Sequence, residues 1–143
     1  MALSGDGNCI LASCLDSGLR LLDKSTGELL NQYRGHQNTQ YRVDAAFSNT
    51  DGEVLCGSDD GKVYVWDLVN VRVSRIALRR NLTHVLTQYS LASQADVTAT
   101  LRGHSRAVLG MAYHPTSAML LTSSVDSTVI VWAASEPPAA ASS

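Results

Sequence analysis

The sequence has no long apolar run, and this absence excludes a transmembrane helix. Its apolar runs, such as those that end at Leu121 and Trp132, are far shorter than the ~20 residues that a membrane helix needs. The amino terminus lacks the basic and apolar regions that together form a secretory signal. We therefore expect a chain that is not secreted and that has no membrane partner.

Cysteine is scarce, and its spacing excludes the common metal sites. The three cysteines, Cys9, Cys14 and Cys56, form no C-x-x-C pair and no Cys/His cluster with metal-ligand spacing. This pattern predicts free thiols in a reducing compartment. We expect neither a metal site nor a cofactor.

Positive charge is also in short supply. The chain of 143 residues carries 11 Lys and Arg against 13 Asp and Glu, a net charge of -2, and its pI is near 6.0. A protein that holds nucleic acid through a basic surface needs several phosphate contacts, so no direct nucleic-acid binding is expected. What is present, 45% hydrophobic and 17% charged residues, is typical of one soluble globular domain.

An internal repeat is the most informative feature of the sequence. In three windows that align without gaps, an Asp turn leads into an apolar, β-branched strand. These windows are LDSGLRLLD (Leu15–Asp23), DDGKVYVWD (Asp59–Asp67) and VDSTVIVWA (Val125–Ala133). A Gly-His pair is a second landmark, and it occurs at Gly35-His36 and Gly103-His104.

The period of the repeat is interrupted once. Asp23 and Asp67 are 44 residues apart, whereas Asp67 and Ala133 are 66 apart. Removing the 24 residues Val71–Gln94 restores the period and joins a third strand directly to an outer strand. The sequence therefore predicts an insertion in the loop between the third and fourth strands of the second repeat, where added length costs little.

The order of these landmarks resembles the WD-repeat family of β-propellers. Gly-His, a strand, a turn, a second strand, an Asp turn and a third strand ending in Trp-Asp follow one another at the ~40–45-residue period of that family. More narrowly, Arg20–Asp44, DGKVYVWDLV and MAYHPT resemble the C-terminal blades of a WD-repeat scaffold that organises mitogen-activated protein kinase cascades and is also associated with spliceosomes.

The resemblance implies an all-β fold, a partial β-propeller of somewhat under three blades. We expect an incomplete first blade at 1–34, a second blade at 35–102 with the insertion 71–94, a third blade without its outer strand at 103–134, and a disordered tail at 135–143. Closed propellers have ~4–8 blades, so the chain is expected to be a fragment of a seven-bladed ring. Its last strand would then present an apolar edge, which recruits other chains or aggregates.

The resemblance also implies a hydrogen-bond network inside each complete blade. In the third blade the network would join His104, Thr122, Asp126 and Trp132, and in the second blade His36, Asp60 and Trp66. Cys56 stands at the hydroxyl position of the second blade, which weakens the link there. In the first blade Ala12 and Leu22 replace the hydroxyl and the Trp.

His104, Asp126 and Ser124 also invite interpretation as a hydrolase site. The repeat argues against it, because His and Asp recur at matching positions as a structural device would. We therefore expect no enzymatic activity and no small-molecule substrate.

The insertion has three interpretations. Arg79–Leu86 resembles the basic-then-aliphatic peptides with which mitogen-activated kinases bind partners. Apolar residues at helix-like spacing favour an ordinary loop or helical segment. Translated intron is the preferred interpretation, because Val71–Ser74 can be encoded like a splice donor and Gln94 like an acceptor.

The resemblance thus implies a non-enzymatic interaction scaffold in the cytoplasm and nucleus, with kinase-cascade components and spliceosomal proteins as partners. A substrate receptor of a ubiquitin ligase and a truncated non-functional product are the alternatives. The expected contact residues lie in the loops that lead from an outer strand to the next inner strand, since exposed Tyr and Arg are typical binding anchors. They are Arg34, Gln37, Asn38, Gln40, Tyr41, Arg102 and Arg106.

Overall fold

The fold consists of three β-sheets and, apart from one short strand, each is built from strands that follow one another along the chain. The computed structural model describes residues 1–68, 94–95 and 97–133. The first blade contains β1 (Ala2–Leu3), β2 (Cys9–Cys14), β3 (Gly18–Asp23) and β4 (Leu29–Tyr33). The second contains β5 (Ala45–Phe47), β6 (Glu53–Gly57), β7 (Lys62–Asp67) and β9 (Val97–Arg102), and the third β10 (Val108–Tyr113), β11 (Met119–Ser124) and β12 (Val129–Ala133).

Neighbouring strands within each blade pair antiparallel. The short strand β8 (Gln94–Ala95) is the exception, because it pairs parallel with β4 of the first blade. All described secondary structure is strand, and the described part of the chain has no helix that is long and apolar enough to cross a membrane. The predicted all-β class and partial propeller architecture are confirmed.

Two apolar layers hold the three blades face to face. Strands of this kind are apolar along their length because both faces of an inner blade are covered, which suits β-branched residues. The layer between the first and second blades contains Leu11, Leu19, Leu21, Tyr33, Val43, Ala45, Phe47, Val54, Cys56 and Trp66. The layer between the second and third blades contains Leu55, Val63, Val65, Val108 and Leu120.

The second and third blades approach each other closely at Gly57. A Cβ atom built on Gly57 would lie 2.4 Å from the carbonyl oxygen of Val108, which is shorter than any normal contact. The neighbouring Ser58 carbonyl accepts a hydrogen bond from the Val108 backbone N–H at 3.0 Å. A side chain at position 57 would therefore push the blades apart at this point.

The outer face of the third blade is apolar and exposed. Its strands β11 and β12 leave Leu121, Val129 and Val131 with 42%, 64% and 57% of their surface accessible. Among residues 1–68, 94–95 and 97–133, β12 has only β11 as a strand neighbour. The predicted tail at 135–143 and nearly all of the predicted insertion 71–94 lie outside the described residues.

The position of the insertion follows from the strands on either side of it. β7 ends at Asp67, and the strand that pairs with its free edge, β9, begins at Val97. The two strands are antiparallel neighbours, as the third and fourth strands of a blade are. The residues between them therefore form the connection from the third to the fourth strand.

Candidate protein-interaction site

Each loop from an outer strand to the next inner strand is fixed by the Asp turn beside it. We name this end of the blades the loop face. It comprises the segments at 34–44 and 102–107, the second of which begins at the last residue of β9, together with the turns at 15–17, 58–61 and 125–128. The functional side chains predicted from the sequence lie on these loops, so their bonding determines what the face can present.

In the third blade the four predicted network residues are joined in one chain of hydrogen bonds. The Thr122 hydroxyl lies 2.8 Å from His104 Nε2 and accepts from Trp132 Nε1 at 2.8 Å. The other ring nitrogen, His104 Nδ1, lies 3.2 Å from the Asp126 carboxylate. This arrangement satisfies both nitrogens of a buried imidazole, which would otherwise destabilise the fold by roughly 1–3 kcal/mol.

Asp126 connects this network to the loop. Its carboxylate accepts from the Ser105 backbone N–H at 2.9 Å and from the Thr128 hydroxyl at 2.6 Å. The hydrogen bond from Thr128, followed by those from the Ser105 and Thr128 backbone and from His104, lowers the pKa of Asp126 well below its usual range. The loop after β9 is thus held by an ionised carboxylate.

Gly103 is required for the tryptophan to lie beneath this loop. A Cβ atom at Gly103 would meet the Trp132 ring at 2.8 Å and Ile130 at 2.9 Å. The Gly-His pair therefore combines two functions, since the glycine admits the indole and the histidine bonds the strand hydroxyl beside it.

In the second blade the predicted network does not form around the histidine. Both ring nitrogens of His36 are buried without a hydrogen-bond partner. The Trp66 indole donates instead to the Arg34 carbonyl oxygen at 3.1 Å, because Cys56 cannot supply the hydroxyl that Thr122 provides in the third blade. Burial lowers the pKa of His36, so its neutral form is favoured.

Asp60 also departs from the prediction, because it contacts groups on its own hairpin and not His36. Its carboxylate accepts from Lys62 Nζ and from the Tyr64 hydroxyl at 3.0 Å. Burial raises the pKa of Asp60, but the hydrogen bonds from Lys62, Ser58 and Tyr64 outweigh it and lower the pKa overall. The third blade has Ile130 where the second has Tyr64, so Asp126 has no such competitor.

A residue that the sequence reasoning missed fixes the loop of the second blade. Asp59 accepts from the backbone N–H groups of Thr39 and Gln40 at 2.8 and 3.0 Å. Its role matches that of Asp126 towards Ser105, although it is one position earlier in the turn. The signal for it was the doubled acidic residue Asp59-Asp60, which occurs in only one of the three aligned windows.

Most of the predicted contact residues are exposed on the loop face. Arg34, Gln37, Gln40, Tyr41, Arg102 and Arg106 all present surface to solvent. Asn38 does not, since only 1% of it is accessible. Its amide donates to the Ser13 hydroxyl at 2.8 Å and the Cys14 carbonyl at 3.0 Å, so it links the second blade to the first. The prediction of Asn38 as a contact residue was therefore wrong.

A shallow cleft of about 250 Å³ lies between the two loops. Gln40, Tyr41 and Asp59 line it from the second blade, and Ser105, Arg106, Ala107 and Val125 line it from the third. Its walls are mainly polar and include one exposed guanidinium and one phenol. A cleft of this kind can take a side chain of a partner protein.

The geometry gives no support to the hydrolase interpretation. The Ser124 hydroxyl donates to the Arg106 carbonyl oxygen at 2.9 Å and makes no hydrogen bond with His104. The hydroxyl that His104 Nε2 does contact is that of Thr122, which is 1% accessible and so cannot reach a substrate. Within the described ranges, no group of three or more His, Cys, Asp or Glu residues could hold a metal ion.

These features, namely repeated antiparallel blades, Gly-His loops and Asp turns, define a WD-repeat protein. The family model described as "WD domain, G-beta repeat" matches residues 27–67 and 95–133, which together are more than half of the chain. The chain therefore belongs to the WD40 repeat family. The gap between the two matched ranges, 68–94, contains the whole of the predicted insertion.

The chain is also similar to curated WD-repeat proteins from several organisms. It is 41% identical over 119 residues to WD repeat domain-containing protein 83 of Homo sapiens, covering 83% of this chain and 30% of that protein. The corresponding Danio rerio protein is 39% identical over 141 residues, covering 99% of this chain and 36% of the relative. The Dictyostelium discoideum homolog is 26% identical over 136 residues, covering 95% and 34%. The chain thus spans about a third of the length of these relatives.

Proposed function

We propose that this WD-repeat chain is a non-enzymatic scaffold on which protein partners assemble. Proteins of this family generally mediate protein–protein interactions. The observation that carries the proposal is the loop face, where buried hydrogen bonds fix the backbone while Tyr41, Arg102 and Arg106 remain exposed. A fixed backbone with exposed anchor residues loses little entropy when a partner binds.

The partners in this proposal are components of a mitogen-activated protein kinase cascade, with a second role in spliceosomal complexes. Support comes from the resemblance of Arg20–Asp44, DGKVYVWDLV and MAYHPT to the C-terminal blades of such a scaffold. The chain would act in the cytoplasm and nucleus, where these partners occur.

The test is affinity capture of the tagged full chain from cells, followed by quantitative mass spectrometry. Kinase-cascade proteins or splicing proteins should be enriched with the unmodified chain. Tyr41→Ala combined with Arg106→Glu should reduce their recovery severalfold, because it removes an aromatic anchor and reverses a charge beside the cleft.

Lys24→Glu is the control, since Lys24 lies in the turn between β3 and β4 at the opposite end of the blades. It should leave recovery unchanged. Enrichment of ubiquitin-ligase subunits in place of kinase or splicing proteins would favour the substrate-receptor alternative. A chain that captures no defined protein would contradict the scaffold proposal.

A further inference from the structure

Charge is distributed unevenly between the two ends of the blades. Of the seven Lys and Arg residues described by the structure, only Lys24 lies at the end opposite the loop face; the others are Arg20, Arg34, Arg42, Lys62, Arg102 and Arg106. That opposite end holds Asp6, Asp23, Glu28, Asp51, Glu53 and Asp67. Although the net charge of the chain is only -2, the end opposite the loop face is therefore acidic.

The aspartates of the loop face form no ion pair with Arg42, Arg102 or Arg106, because each is bonded to other groups within the fold or lies elsewhere. Asp16 is paired with Arg20, and Asp60 with Lys62. Asp59 accepts from loop N–H groups, and Asp126 from loop and turn donors. The remaining carboxylate, Asp44, lines a separate cleft beside Gly110 and Val129 on the third blade.

Three guanidinium groups on the loop face are not used in this way. Arg42, Arg102 and Arg106 are exposed, and no ion pair or hydrogen bond of their side chains occurs within the described part of the chain. An arginine binds a carboxylate through two parallel N–H···O bonds, and the free arginines are therefore available to an anionic partner. Tyr41, which is 37% exposed, stands beside Arg106 in the cleft.

We infer that the loop face docks an acidic peptide segment of a protein partner, held by Arg42, Arg102 and Arg106. The inference rests on the proposed scaffold function and specifies the chemistry of the segment that the face receives. The acidic opposite end repels such a segment and the loop face attracts it, so charge orients the approach as well as the bound state. The overall negative charge disfavours a nucleic acid, whose long array of phosphates would also meet the acidic end.

The test uses the purified full chain and fluorescent peptides in an anisotropy titration at low ionic strength. An oligoglutamate peptide should bind, and an oligolysine peptide of the same length should not. Arg42→Glu, Arg102→Glu and Arg106→Glu should each weaken oligoglutamate binding by about three- to tenfold. Lys24→Glu changes the net charge equally at the acidic end, and its effect should stay below about twofold.

Arg→Gln variants at the same positions should lose less affinity for oligoglutamate than the Arg→Glu variants, with the three positions ranked in the same order. Circular dichroism should show unchanged sheet content in every variant. Equal weakening by Lys24→Glu would contradict the inference, as would failure of the unmodified chain to bind oligoglutamate. Tighter binding of a single-stranded oligouridylate, lost in the same arginine variants, would also overturn it in favour of nucleic acid. If sedimentation shows that the chain self-associates and that salt weakens the association, the inference is overturned, and the loop face binds the acidic end of a second copy of the chain.

The two proposals can fail separately. If the three arginine variants capture kinase or splicing proteins as well as the unmodified chain does, the acidic-peptide site is wrong and the scaffold remains. If the unmodified chain binds oligoglutamate through these arginines but captures none of those proteins, the site remains and the proposed partners are wrong.

Discussion

The second and third blades place a histidine at the same position of the repeat, yet only one of the two is hydrogen-bonded. His104 is joined to Thr122 and Asp126, whereas His36 is buried against the Trp66 ring at 5.4 Å between centroids, with no polar partner. The difference arises at two neighbouring positions, Cys56 and Tyr64. A repeated motif therefore shows where a side chain lies, while its neighbours decide whether its polar atoms are satisfied.

The largest effect on stability should follow from removing the Thr122 hydroxyl of the third blade, which has no counterpart in the second blade. Thr122→Val deprives the His104 and Trp132 nitrogens of a partner while preserving shape. We expect the free energy of unfolding to fall by about 2–4 kcal/mol. Urea denaturation followed by tryptophan fluorescence measures this change. Cys56→Val is the matched control and should cost below about 1 kcal/mol; equal losses in both variants would remove the distinction between the blades.

Replacing each histidine with phenylalanine tests the comparison directly. His104→Phe leaves Thr122 and Asp126 without their shared partner, so we expect a loss of about 1–3 kcal/mol. His36→Phe removes two unsatisfied nitrogens from an aromatic environment and should be neutral or stabilising by up to about 1 kcal/mol. The same denaturation assay applies. A larger loss for His36→Phe than for His104→Phe would show that His36 has a partner.

Acidification should act on the second blade through His36. Because burial lowers its pKa in the folded state, the unfolded chain binds the proton more readily. Stability is therefore full above the unfolded pKa of about 6.5 and falls as the pH drops below it, by up to about 1.4 kcal/mol per pH unit. The measurement is the difference between the pH profiles of the unmodified chain and His36→Phe. Coinciding profiles below that pH would contradict this prediction.

The smallest effect should come from restoring the hydroxyl. Cys56→Thr offers His36 and Trp66 the partner that Thr122 provides in the third blade, and should raise the free energy of unfolding by about 0.5–1 kcal/mol. The Trp66 indole N–H should shift in the NMR spectrum as it exchanges the Arg34 carbonyl for the new hydroxyl. An unchanged indole resonance would contradict this prediction and would mean that Trp66 still donates to the Arg34 carbonyl oxygen.

The repeat period predicted the strands of the three blades because it is a property of the whole chain. The 44-residue spacing and the Asp turns are independent of detail at any one residue. Side-chain partners were less predictable, since they depend on which donor is nearest. Asp60 accepts a hydrogen bond from Tyr64 of its own hairpin. Asn38 is buried between the blades because it donates to Ser13, a residue of the first blade. The parallel pairing of β8 with β4 has no signal in the periodicity.

The separation of β7 from β9 has a consequence for the order of folding. Five residues separate β3 from β4, whereas 29 separate β7 from β9. On closure entropy alone, bringing the fourth strand of the second blade into register costs about 1.6 kcal/mol more than in the first blade. Because the hairpins β2–β3 and β6–β7 are local, we expect them to form before β9 docks on β7. We therefore expect the strand that leads into the loop of His104 to be the last strand of the second blade to pair.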